Sequence, residues 1–280
     1  LNIWNKNKDY YNSFDVIITS DTTPISRVFL QNNFQKKLII WICNRFDYAH
    51  QPDGDNIGFP DQEYYDLIND AKNRKNVHLI PNTEFEKIYC KNFNIDLTNN
   101  EIIKPLGLTF DMESKKTIIN DKHETFFIPQ YHNETIMINL SDILNKYDIK
   151  NFNKRHQGFS DLIEFKGIIC IPYAWSTWAL FEYISLNLVI FIPSQTFLLS
   201  FLKLNLWYQN SNYLKDYLKI SEWYNNENND FFVYFDSWDD LKYKIKNLDF
   251  KIHKQKNLEF SNNHQKVMLE KWEKYIKYDL

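Results

Sequence analysis

KGIICIPYAWSTWALFEYISLNLVIFIPS, residues 166–194, is the stretch whose reading decides the fold. Gly167-Ile168-Ile169-Cys170-Ile171 is a short apolar, β-branched run closed by Pro172, the pattern of a strand buried in a parallel sheet. Tyr173-Ala174-Trp175-Ser176-Thr177 reads as a tight polar turn, and Ser176 or Thr177 can cap the helix that follows. Thr177, Leu180, Phe181 and Ile184 share one face of that helix, and Asn187 marks its end. Leu188 to Ile192 is the next buried strand, closed by Pro193-Ser194. A β-α-β unit of this kind aims a helix N-terminus, with free N–H groups and a positive dipole end, at the carboxyl edge of a sheet. Phosphates commonly bind there. Glu182 lies one turn past Trp178, off the most apolar face, where a carboxylate can accept from the paired hydroxyls of a ribose. A solvated helix glutamate fits the same pattern, and many α/β proteins carry such a unit without binding anything at it.

Composition narrows the classes. The chain has 280 residues, enough for one large domain or two small ones, with 44% hydrophobic and 25% charged residues, an ordinary globular balance. Aromatics reach 17%, a skew that goes with many Asn, Lys and Ile residues and does not by itself indicate a stacking surface. A net charge of −3 argues against a broad nucleic-acid binder. Cys43, Cys90 and Cys170 form no C-x-x-C pair, so neither a zinc site nor a disulfide framework is indicated, and a reducing, cytoplasmic setting is expected. No apolar run is long enough to span a membrane and the first residues do not read as a signal peptide. The chain starts without a methionine, so a domain of something longer is an expectation as well. Only five glycines occur, and neither G-x-G-x-x-G nor a P-loop is present, which lowers the case for a nicotinamide enzyme or a nucleotide hydrolase.

Taken in order, the chain alternates strands and helices. Residues 15–20 and 37–43 read as strands with a short helix over 25–33 between them. The second strand ends in Asn44-Arg45-Phe46-Asp47-Tyr48-Ala49-His50, a polar cluster where α/β proteins place their chemistry. Arg45 can clamp a hydroxyl-bearing ligand and Asp47 or His50 can take its proton; a polar loop with an internal ion pair is the plainer alternative. Asp53-Gly54-Asp55 is a D-x-D in a turn-rich loop, a weak metal signal that more often is only a turn. A helix capped by Asp61, a strand over 77–81 and a helix from Phe85 follow, with Glu84 at the last strand's polar end as a further acid/base candidate or a plain helix-start carboxylate. The run 102–108 reads as a strand, 111–122 as a hairpin-like excursion, and 141–147 as a helix. Lys154 and Arg155 belong to the densest basic spot of the middle of the chain, positioned to neutralise a departing diphosphate or to be simply solvated. Residues 195–208, 241–247 and 262–278 read as helices and 231–235 as a strand, with Ser237 as a cap.

The order Tyr173, Ser176, Thr177, Glu182, Pro193, Ser194 resembles the C-terminal donor segment of GT-B glycosyltransferases, and Ile102 to Gly107 resembles the segment where those enzymes cross between domains. The resemblance covers about the central half of the chain, and this sequence lacks the family's glycine-rich loop near the start. It implies an α/β fold of two Rossmann-like domains facing a cleft, 1–115 on the acceptor side and 116–280 on the nucleotide-sugar side, with the hinge between Leu108 and Asp121 and a final helix crossing back. It further implies transfer of a sugar from a nucleotide-sugar donor to an acceptor hydroxyl, on a glycan or another molecule, without a metal or other cofactor. Ser176 and Thr177 would then face phosphate, Glu182 the ribose, Tyr173 the same donor, and Lys154 and Arg155 the diphosphate, while Arg45 binds the acceptor and Asp47, His50 or Glu84 activates it. Two other readings stay open: a non-catalytic α/β binding domain, and a metal-dependent GT-A enzyme using Asp53 and Asp55.

Overall fold

The structure is a computed structural model that describes residues 2–21, 23–47, 61–107, 124–129, 138–156, 159–203 and 216–277. It is a mixed α/β protein with parallel sheets, and it divides into two compact units, Leu1–Pro105 with Val267–Leu280, and Leu106–Lys266.

In the first unit, α1 (Asn2–Asn12) precedes β1 (Val16–Thr19), α2 (Arg27–Gln31), β2 (Lys37–Ile42), α3 (Gln62–Ala71), β3 (Val77–Pro81) and α4 (Glu84–Lys91). The strands lie parallel in the order β1-β2-β3. Their sequences explain this: Leu38, Ile39 and Ile40 are buried in succession, as a strand covered on both faces requires. Asp61 caps α3 by accepting from the Tyr64 amide at 3.1 Å, and Thr83 caps α4 by accepting from the Glu86 amide at 3.3 Å. The expected strand over 102–108 does not form over its described part, 102–107. The Ile103 amide donates to the Pro81 carbonyl at 3.1 Å, but Lys104 donates to the Met268 sulfur at 3.2 Å and Pro105 has no N–H to offer, so no ladder develops. The α1 helix, Asn- and Lys-rich, is unanticipated; it is held by Trp4, whose ring meets Phe29 and Phe34 edge-on at 6.3 Å.

The second unit contains β4 (Phe126–Phe127), α5 (Leu140–Lys146), β5 (Asn151–Phe152), α6 (Phe159–Leu162), β6 (Gly167–Ile169), α7 (Trp178–Ser185), β7 (Ile190–Pro193), α8 (Gln195–Lys203), β8 (Phe232–Phe235), α9 (Trp238–Asn247) and the start of the last helix, α10 (Phe250–Lys277). Among the described residues its sheet has five parallel strands in the order β5-β4-β6-β7-β8. Strand succession therefore reverses at β4: the chain steps outward to β5 and then returns to lay β6 on the other side of β4. Asn139, rather than a residue of 141–147, caps α5 by accepting from the Asp142 amide at 3.2 Å. Asn187 takes a left-handed φ of 57° just past α7, the conformation of a helix-stop residue. The α10 helix begins twelve residues before the expected 262, because its polar first half is fixed by tertiary contacts: the Phe260 ring meets Phe231 at 3.9 Å and Asn257 donates to the Leu188 carbonyl at 3.0 Å.

Candidate functional site

Open parallel sheets bind ligands at the carboxyl ends of the strands where the order reverses. Here that point lies between β4 and β6, and the chain leaving β6 is the turn 170–177 that opens α7. The cap is resolved: Thr177 accepts from the Leu180 amide at 3.3 Å. Ser176 is thereby released, and its buried hydroxyl has no hydrogen-bond partner among the described residues. An orphaned buried hydroxyl is an uncommon and informative defect, because such groups are normally paired. Tyr173 is partly buried in the same turn, and burial raises its hydroxyl above the ordinary tyrosine range.

The turn is braced from behind by a segment that sequence reading left without structure. The Glu222 amide donates to the Trp175 carbonyl at 2.7 Å and the Trp223 indole donates to the Ala174 carbonyl at 2.8 Å. Glu222 is buried, and Asn228 donates to its carbonyl at 2.7 Å and to its carboxylate at 2.8 Å. Tyr224 donates to the Pro193 carbonyl at 2.7 Å, which ties this brace to the end of β7. The turn is thus held by hydrogen bonds from residues 222 and 223 to its backbone carbonyls, while Ser176 Oγ has no partner among the described residues.

Glu182 is half-buried one turn into α7. Burial raises its carboxyl above the ordinary range, and His156 acts in the opposite direction. The sign of this matters for stability. A folded-state pKa above the unfolded one means that the ionised form is penalised in the fold; the penalty grows as the pH rises past the unfolded value and is fully present above the folded one. Glu182→Gln is therefore expected to raise the melting temperature by about 1 °C near pH 8, an effect discounted for solvent screening, and to lose that gain as the pH falls toward 4. Thermal melts at both pH values check it. Lys154 and Arg155 stand exposed on the loop after β5, while His156 beside them is partly buried.

The first unit's candidates separate. Arg45 sits past β2 with a φ of 35°, and its amide donates to Glu86 Oε1 at 3.2 Å. Glu86, which sequence reading passed over, is completely buried; a Thr followed three residues later by Glu reads from sequence as a capping box, which hides this second role. Asp47 is buried and accepts from Tyr65 Oη at 2.7 Å and Tyr89 Oη at 2.9 Å. Burial first and the Asp47 carboxylate second push the Tyr65 hydroxyl up; the same two causes act on Tyr89. Both Asp47 oxygens are thus engaged in packing α3 and α4 against the turn, which does not fit the expected proton abstraction from a bound hydroxyl. Glu84 is exposed at the start of α4, 3.7 Å from Lys87. His50, Asp53 and Asp55 lie outside the described residues. Among the described residues no group of three or more His, Cys, Asp or Glu is arranged to hold a metal ion, and no helix is long and apolar enough to cross a membrane.

No protein-family model matches the sequence, and no curated protein matches it. Among solved structures, the crystal structure of Arabidopsis thaliana UGT89C1 complexed with UDP is similar at 12% identity and a TM-score of 0.44, over 96% of this chain and 75% of that one.

Proposed function

We propose that this chain is a nucleotide-sugar-dependent glycosyltransferase of the GT-B class. The observation that carries the reading is the orphaned Ser176 hydroxyl at the capped N-terminus of α7, at the strand-order reversal of a parallel sheet. In this reading the second unit holds the donor: the α7 N-terminus and Ser176 receive phosphate, Thr177 fixes the helix start, Tyr173 lines the turn, and Glu182 accepts from the ribose hydroxyls. Lys154 and Arg155 supply positive charge near the leaving diphosphate. A carboxylate already penalised by burial gains from hydroxyl donors that arrive with a ligand, so Glu182 supports this assignment.

The first unit would hold the acceptor through Arg45, and the base would be Glu84 or His50. Sugar transfer breaks the bond from the anomeric carbon to the diphosphate and forms one to the acceptor oxygen, whose proton passes to that base. Titration of the chain with UDP, GDP, CDP and dTDP tests the donor reading. One of the four should bind. Ser176→Ala should weaken that binding about tenfold, the worth of one hydrogen bond to a charged group, without lowering the melting temperature. Thr177→Ala should instead cost about 1 kcal/mol of stability through the lost cap.

The engagement of Asp47 by two tyrosines favours one alternative, a domain that binds the nucleotide without transferring sugar. Donor hydrolysis assays separate the two: binding with no turnover of any nucleotide sugar, with or without acceptor, would leave the binding domain standing.

A further inference from the structure

The turn ahead of α7 is oriented from outside itself. Segment 221–228 folds around the buried Glu222 carboxylate, which accepts from Asn225 Nδ2 at 3.2 Å and from Asn228 Nδ2 at 2.8 Å, and the Asn228 amide donates to Asn225 Oδ1 at 3.0 Å. The sheet anchors this segment. Tyr224 donates to the Pro193 carbonyl at the end of β7 at 2.7 Å, Tyr234 of β8 donates to the Trp223 carbonyl at 2.8 Å, and the Trp223 ring lies 5.9 Å from that of Phe232. From there the Glu222 amide and the Trp223 indole reach the Trp175 and Ala174 carbonyls, at 2.7 Å and 2.8 Å. A trans peptide group is planar, with its C=O and N–H pointing in opposite directions. The Trp175 carbonyl shares one such plane with the Ser176 amide, so the bond from Glu222 aims the Ser176 N–H away from the brace. The bond to the Ala174 carbonyl does the same for the Trp175 N–H. Ser176 Oγ, buried and without a partner among the described residues, has no side-chain bond to fix it, so its place follows from that plane.

We propose that segment 221–228 is a positioning element of the nucleotide site: Glu222 and Trp223 touch no ligand themselves, and through the Trp175 and Ala174 carbonyls they hold the Ser176 amide and hydroxyl on the phosphate. The inference rests on the nucleotide-sugar reading and assigns part of the affinity to residues outside the turn. A hydrogen bond weakens steeply as its angle closes below about 120°, so a small rotation of this peptide plane is read as lost affinity. Calorimetric titration of the full chain with UDP, GDP, CDP and dTDP and their parent nucleosides tests it, on wild type, Trp223→Phe, Ser176→Ala and the double variant. Trp223→Phe keeps an aromatic ring and removes the N–H that serves the Ala174 carbonyl. It should lose about tenfold in affinity for the diphosphate that binds and less than about twofold for the parent nucleoside. Ser176→Ala, which costs about tenfold in wild type, should cost less than about threefold in the Trp223→Phe background, because a misplaced hydroxyl no longer meets the phosphate. A merely structural role lowers the melting temperature and gives neither that discrimination nor that coupling.

Diphosphate affinity of Trp223→Phe within about twofold of wild type, a loss shared equally by the nucleoside, or effects of the two substitutions that simply multiply, overturns the inference. Should Trp223→Phe fail to fold, Asn228→Ala takes its place, since it removes the nitrogen that donates to the Glu222 carboxylate and carbonyl, and the same three results decide. If the diphosphate binds and Ser176→Ala weakens it while Trp223→Phe changes nothing, this inference fails and the donor reading stands. If Ser176→Ala changes nothing, or if no nucleotide binds to wild type, both fail together.

Discussion

Gly107→Ala is expected to destabilise the protein by about 3 kcal/mol, combining the cost of a left-handed alanine with overpacking, and to lower the melting temperature by roughly 6–10 °C. Gly107 has a φ of 77°, and a methyl group on it would lie 2.0 Å from Ser185 Oγ and 2.5 Å from the Phe181 carbonyl oxygen. Neither neighbour is at liberty to retreat. Ser185 donates to that same carbonyl at 2.7 Å and accepts from Gln265 at 3.5 Å, and Phe181 stacks on His264 at 5.2 Å. Ser185 and Phe181 both belong to α7, so the strain falls on the helix that opens at Ser176 and Thr177. Nucleotide affinity should therefore fall along with stability. A melting temperature within about 1 °C of wild type would show that the 106–107 backbone does not press on α7 as described.

Asp47→Ala is expected to cost at least about 3 kcal/mol, because hydrogen bonds to a charged group contribute about 1.5–3 kcal/mol each and two buried tyrosine hydroxyls lose their acceptor. Those hydroxyls are Tyr65 on α3 and Tyr89 on α4, and the Phe46 ring lies at 5.1 Å and 6.0 Å from theirs. Urea denaturation of Asp47→Ala and of Glu84→Gln makes the comparison. Glu84, exposed at a helix start, should change stability by less than about 0.5 kcal/mol. A stable Asp47→Ala protein with abolished transfer would reverse the assignment and return Asp47 to the chemistry.

Residues 166–194 and Asp47 mark where sequence reading succeeds and where it stops. The strand-turn-helix-strand of residues 166–194 is legible because each part follows a local rule: a β-branched run, a cap at Thr177, a helix stop at Asn187, and a buried strand ending in proline. Asp61 and Ser237 are legible as caps for the same reason. Asp47 misleads because its partners are 18 and 42 residues away, and no spacing rule reaches that far. The 102–107 run misleads because apolar content predicts burial, whereas a strand also needs a continuous row of amides, which Pro105 interrupts. The first half of α10 escapes for the opposite reason. His253 and Asn257 lack an amphipathic pattern in sequence but each finds a carbonyl in the fold, Phe231 at 2.7 Å and Leu188 at 3.0 Å. At the site itself, Ser176 and Thr177 are equivalent in sequence; only the structure shows that Thr177 takes the cap and leaves Ser176 uncommitted.

A crystal structure of the chain with the nucleoside diphosphate that binds most tightly tests the central claim most directly. The account predicts a phosphate oxygen within hydrogen-bond distance of Ser176 Oγ at the head of α7, and ribose hydroxyls on Glu182. A nucleotide seated elsewhere, or the head of α7 closed over by the chain's own residues with Ser176 Oγ paired to one of them, would contradict it.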